Sequence, residues 1–328
     1  MDNQQQDNDI VGEEGQKQPI APKGSFPFGS AMIAIAIIML AGAIAYSKNT
    51  SSAPLTQGED SRVAAQTAAV DPLEEVVIPS GGVFIPVRWG DLGTKMVANG
   101  VINRGKFEAA YFDRGGVGDD VRALLDTSDI EKLVITPQNS GQVLNVLWAL
   151  GLANKNPILE KGPMQDSKYG GAGRFASTGG WTLAEGDAMD HYSKHALIKL
   201  TPEQQALVER VSKNIYRPCC GNATYFPDCN HGMAMLGLLE LMASQGVSEQ
   251  NMYRAALQVN AYWFPDTYLT IAKYMKQKGI SWDAVNPKEV LGDEFSSSAG
   301  YQRIVAEMAT PAVQDGTSRP RSSGGCGV

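Results

Sequence analysis

Three of the chain's four cysteines, Cys219, Cys220 and Cys229, fall within eleven residues, and His231, one of only three histidines, follows Cys229 by two. Thiolates and imidazole are the ligand set of soft and borderline metals, so the segment reads as a site for zinc, copper or an iron–sulfur cluster. The same residues also suit a structural disulfide or a thiol-redox pair, with Cys229 joined to Cys219 or Cys220. Standard zinc sites separate paired cysteines by about two to four residues. Adjacent side chains rarely reach one ion, so one of Cys219 and Cys220 is expected to be the ligand. His191 and His195, spaced i, i+4, are further imidazole donors that the fold would have to bring in from a distance. A covalent haem site is disfavoured, because no C-x-x-C-H occurs.

The cysteines lie in the stretch IYRPCCGNATYFPDCNHGMAMLG, residues 215–237. Gly221 and Pro227 suit a turning loop that folds the sulfur atoms toward one point. Cys229 sits where the next helix should begin, and the dipole of a helix N-terminus favours thiolate over thiol. Met233, Met235 and Met242 offer thioethers, but on an apolar helix they read as core filler.

The layout of residues 215–257 resembles the extracytoplasmic bacterial proteins that carry a PCYCGC motif. Pro218-Cys219-Cys220-Gly221 stands for their cysteine-rich loop, Cys229 and His231 for the helix that follows, and Gly246-Val247-Ser248 for the turn into an amphipathic helix. The alternating C-x-C-x-C is missing, and the likeness covers under a fifth of the chain. It implies an exported, membrane-tethered module with a cysteine/metal site and no particular reaction.

The elements around this loop read as mainly helical. Thr201-Pro202-Glu203-Gln204 is a helix start with a capping box and proline in the first turn, and the helix is expected to run to Tyr216 before Pro218. Further helices are expected near 231–246, 248–264 and 266–279, then around 288–295 and 301–308. Upstream, an apolar stripe of Val143, Leu144, Leu147, Trp148 and Leu150 follows Ser140 at helical spacing. Shorter helices fit residues 91–99, 103–112 and 119–125. Strand is expected only at 83–88, within the β-branched and aromatic run 81–90, and at 133–136. Gly171, Gly173 and Ala176 match G-x-G-x-x-A formally, but no hydrophobic strand precedes them and Gly179-Gly180 follows, so a structured loop is expected.

Residues 26–46 carry no charge and are rich in Ile, Met, Leu and Ala. A helix of roughly 20 residues can cross a hydrocarbon layer about 30 Å thick, with Phe26, Phe28 and Tyr46 as interfacial aromatics. A signal peptide cleaved after Ala43-Ile44-Ala45 is the rival reading. Lys17 and Lys23 before the run against Lys48 after it favour an exported C-terminal domain. The expected organisation is therefore a polar segment 1–25, a transmembrane helix 26–47, a flexible linker 48–80, one mostly helical domain 81–310, and a Gly/Ser/Arg tail 311–328 holding Cys326. Membrane lipid is the one partner this implies. The formal charge of −7 argues against nucleic-acid binding. No HExxH, Walker loop or G-x-S-x-G occurs, so no complete catalytic set is legible.

Overall fold

The computed structural model describes residues 71–309. The expected membrane helix, most of the linker and the tail with Cys326 lie outside them. The described residues are mainly helical, as their periodicity predicts. Among them no helix is long and apolar enough to cross a membrane.

The fold begins before residue 81. Asp71 caps a short helix, Pro72–Val77, whose Val77 is buried. Strand β1 (Val83–Ile85) then pairs antiparallel with β2 (Leu133–Ile135), Val83 opposite Ile135 and Ile85 opposite Leu133. Alternation sets the two faces: Val83, Ile85, Leu133 and Ile135 go inward, while Phe84 is 67% exposed beneath Lys132. Between the strands run the helices Leu92–Ala98, Arg104–Tyr111 and Asp119–Asp126.

The core is built on longer helices: α1 (Ser140–Ala153), α2 (Pro202–Ser212), α3 (Asn230–Ser244), α4 (Glu249–Trp263), α5 (Pro265–Gln277) and α6 (Ser298–Ala309). The capping box at Thr201 and Gln204 forms as the sequence predicts, and Ser248 caps α4. Helix α3 is apolar on nearly every side, with residues 232–243 all buried, which marks it as the central helix.

Helices α1 and α3 make the most extensive helix–helix contact of the described fold. Two glycines permit it. A β-carbon on Gly151 would sit 2.0 Å from the Met233 carbonyl oxygen, and one on Gly237 would sit 2.6 Å from the Gly151 nitrogen. The two backbones therefore touch where they cross, and this fixes the height at which the first turn of α3 stands.

One ionisable side chain lies inside this crossing. Glu240 of α3 is fully buried and accepts amide hydrogen bonds from Asn154 Nδ2 at 2.8 Å and Asn156 Nδ2 at 2.5 Å. Neither amide is free to turn, because Asn154 Oδ1 accepts from the Ile198 N–H and Asn156 Oδ1 from the Ile158 N–H, both at 2.8 Å. Burial pushes the Glu240 carboxyl up to about 8, with the two amide donors pulling the other way.

Two measurements check this. Gly237→Ala should destabilise by at least about 1–3 kcal/mol in denaturant unfolding, since added bulk must push two backbones apart; an unchanged midpoint contradicts the crossing. For Glu240, the folded value lies above the unfolded one near 4.5, so the folded chain keeps a proton that the unfolded chain releases. Its contribution is fully present below about pH 4.5 and is lost as pH rises toward about 8. Glu240→Gln should flatten the fall in stability between those values, while losing about 1–3 kcal/mol because its amide nitrogen faces a fixed amide donor.

Candidate metal centre

The cysteine loop is closed by its own backbone. The sequence predicts helix as far as Tyr216, but α2 ends at Ser212. Beyond it Tyr216 pairs antiparallel with Ala223, and its N–H donates to the Leu291 carbonyl at 2.8 Å. Thr224 donates to the Ile215 carbonyl twice, from its N–H at 2.8 Å and its hydroxyl at 3.0 Å. Tertiary partners thus claim the backbone that would have extended the helix. The loop folds back and presents Cys219 and Cys220 beside the start of α3.

Cys219, Cys229 and His231 converge there, with one ligand atom of each within 4.8 Å of the others. The Cys219 and Cys229 sulfur atoms lie 3.5 Å apart, and the Cys219 sulfur lies 4.0 Å from His231 Nδ1. Zinc bonded tetrahedrally, at about 2.3 Å to sulfur and about 2.05 Å to nitrogen, sets edges of about 3.8 Å and 3.6 Å between such ligands. A disulfide would need about 2.05 Å. Cys219 is exposed, while Cys229 and His231 are half-buried. The His231 ring is walled by Phe264, centroids 4.4 Å apart, and Trp263 at 5.8 Å.

Cys229 is the N-cap of α3, and its sulfur accepts the Gly232 N–H at 3.4 Å. Hydrogen bonds from Cys219 and Cys220 hold it well below the usual thiol range, helped by His231 and the Arg217 charge and opposed by burial. Cys219 is pushed in the other direction by its hydrogen bonds with Cys220 and Cys229.

A second triple, Cys220, Asp228 and Cys229, shares Cys229 with the first. Here the charge balance differs. Arg217 has no exposed surface, and its Nη2 donates to Asp228 Oδ1 at 2.6 Å and to the Phe226 carbonyl at 3.3 Å. The other Asp228 oxygen accepts from Asn222 Nδ2 at 2.8 Å. Burial works against the Arg217 charge, but Cys229, Cys220 and Asp228 more than offset it, so the guanidinium stays ionised. A cation bound to the second triple would have to take Asp228 from this guanidinium and sit beside its charge. Cys220 meanwhile directs its thiol at the Asn222 carbonyl and Asp228 Oδ1, each at 3.9 Å. The first triple is therefore the better placed of the two to hold a cation.

Gly232 explains how a guanidinium fits there. A β-carbon on it would lie 2.7 Å from the Arg217 guanidinium carbon, so only glycine leaves room under the first turn of α3. Arg217 Nε and Nη1 are buried without a hydrogen-bond acceptor among the described residues.

His191 and His195 are not brought to the cysteines; neither belongs to a triple of ligands among the described residues. They bond to each other, His191 Nδ1 to His195 Nε2 at 3.1 Å. His191 Nε2 donates to the Glu185 carbonyl at 2.8 Å, so Nδ1 is left as the acceptor of the His195 N–H. Burial, and then the neighbouring His191, lower the His195 pKa. Sequence reasoning found Cys219, Cys220, Cys229 and His231 but passed over Arg217, Asp228 and Asn222. The available signal was a pair of opposite charges flanking the cysteines, in Arg-Pro-Cys-Cys and Asp-Cys.

The chain matches no family model, no curated protein and no solved structure. What can be said of the site therefore rests on its geometry.

Asp228→Asn should cost about 3–5 kcal/mol, because it leaves the buried Arg217 charge uncompensated. Thermal or denaturant unfolding reads this directly. A loss within about 0.5 kcal/mol, the range of ordinary surface substitutions, contradicts the buried pair.

Proposed function

We propose that this protein is a membrane-anchored metal-binding protein whose domain, outside the cytoplasm, holds one zinc ion through Cys219, Cys229 and His231. The single observation that carries the metal reading is the spacing of these three ligand atoms, 3.5 Å and 4.0 Å about Cys219, near the edges of a zinc tetrahedron. Charge supports the same choice. Two thiolates neutralise a divalent ion, while Asp228 and Arg217 neutralise each other, so the half-buried site closes without net charge. A third thiolate at Cys220 would break that balance, and Cys220 is read as a thiol outside the coordination sphere. Iron–sulfur clusters are held as a rule by about four thiolates, more than converge here. The thioethers of Met233, Met235 and Met242 are buried in the core, which removes the main argument for copper(I).

When bound, zinc would supply a fixed cross-link between loop and helix. Cys229 and His231 hold it from the start of α3, and Cys219 from the loop. The anchor and the exported location rest on the uncharged apolar run 26–46, on the lysine asymmetry about it, and on the likeness of residues 215–257 to PCYCGC-motif proteins.

Protein purified without chelator should contain about one zinc per chain by elemental analysis, and Cys220→Ser should keep it. Cys219→Ser, Cys229→Ser and His231→Ala should each lose most of it. Equal zinc in wild type and Cys229→Ser overturns the reading. Protease added to intact cells should remove residues 71–309; full protection contradicts the exported orientation.

A further inference from the structure

The two thiolates assigned to zinc are also the two sulfur atoms best placed to bond to each other. We propose that Cys219 and Cys229 form a dithiol/disulfide couple that exchanges with small disulfides, so that oxidation and metal occupancy exclude one another. This rests on the metal reading for its second half only; the pairing of Cys219 with Cys229 stands on geometry alone.

Three cysteines allow three pairings, and the structure separates them. Cys219 and Cys229 sulfur atoms are 3.5 Å apart, and closing to a bond of about 2.05 Å asks for roughly 1.5 Å of movement. Cys219 stands on an exposed loop that can supply it. The Cys220 sulfur also lies within 4.8 Å of the Cys229 sulfur, but its thiol is directed at the Asn222 carbonyl and Asp228 Oδ1, each at 3.9 Å. Cys219–Cys220 would be a bond between neighbours in sequence, in a turn already tied by the Cys220 N–H to the Arg217 carbonyl at 3.3 Å.

The roles of the pair follow from their surroundings. Exposed Cys219 is where a small disulfide R–S–S–R can arrive. Cys219 gives its thiol proton to solvent and attacks one sulfur of that molecule: a Cys219–S–R bond forms, the S–S bond breaks, and one thiolate R–S⁻ leaves. The Cys229 thiolate then attacks the Cys219 sulfur and displaces the second R–S⁻. Two cysteine thiolates have given two electrons to the small disulfide, which departs as two thiolates that take protons from water. Cys229 suits the second step because its sulfur lies 3.5 Å from that of Cys219 and caps a helix N-terminus, where it accepts the Gly232 N–H. The same contacts stabilise the reduced form, which makes the closed disulfide easily reduced. Once Cys219 and Cys229 are joined, only the His231 imidazole of the three ligands remains, too little to retain the ion.

The test uses the full chain carrying Cys326→Ser, so that the tail thiol does not contribute. The protein is incubated with glutathione disulfide, alkylated, and mapped by peptide mass spectrometry, while a chromogenic chelator reports released zinc. The proposal expects a Cys219–Cys229 bond, Cys220 recovered as an alkylated thiol, and about one zinc released per disulfide formed. Excess reduced thiol should reopen the bond and restore zinc uptake. A bond at Cys220, or glutathione left on Cys219 without closure, overturns the pairing. Release of zinc without a Cys219–Cys229 bond overturns the exclusion. If the starting protein holds no zinc yet the bond still forms, the metal reading fails and the dithiol couple stands.

Discussion

A guanidinium buried under the first turn of a helix is the constraint on which the rest of the site depends. Burial alone opposes the charge, and the positive end of the α3 dipole opposes it again. Arg217 is tolerable there only because anions surround it: Asp228 in direct contact at 2.6 Å, and the Cys229 sulfur at the N-cap of the same helix. The requirement propagates outward. Gly232 must lack a side chain, Asn222 must hold the far Asp228 oxygen, and the loop 217–229 must return to α3 in one register. Cys219 reaches Cys229 and His231 because that register is fixed.

The floor beneath the site is equally constrained. Helix α3 can present its first turn reproducibly only if its body does not slide along α1. The Gly151–Gly237 crossing brings backbone onto backbone, and the Glu240–Asn154–Asn156 hydrogen bonds pin the same pair of elements further along. Polar groups inside a core are tolerated when satisfied and penalise every arrangement that leaves them unpaired. The packed core below and the closed loop above together give two sulfur atoms and an imidazole a spacing near the one zinc would require, so little ordering would remain to be done on binding.

Much of this was legible in the sequence because local rules and tertiary structure agree. Thr201 and Gln204 cap α2, Ser248 caps α4, and the alternation in Val83-Phe84-Ile85 sorts into buried and exposed faces. The cluster Cys219, Cys229 and His231 was visible because those residue types are rare and crowded. The choice between Cys219 and Cys220 was not visible, since it depends on how the Tyr216–Ala223 pairing turns the loop. That long-range pairing also ends α2 earlier than its periodicity suggests. Arg217 was missed for a similar reason: nothing local distinguishes an arginine that will be fully enclosed from one in solvent, and only Gly232, fifteen residues on, makes its place. Glu240 sits in an apolar helix as an apparent exception, and its two asparagine partners lie on another part of the chain.

The metal reading requires a single ion bound by two sulfur atoms and one imidazole. X-ray absorption at the zinc edge of the purified chain tests it most directly, since scattering from sulfur at about 2.3 Å and from imidazole nitrogen at about 2.0–2.1 Å is separable. Two sulfur scatterers and at least one imidazole are expected, with the spectrum unchanged in Cys220→Ser. Three sulfur scatterers, falling to two in Cys220→Ser, would place Cys220 in the coordination sphere and contradict the charge balance around Arg217.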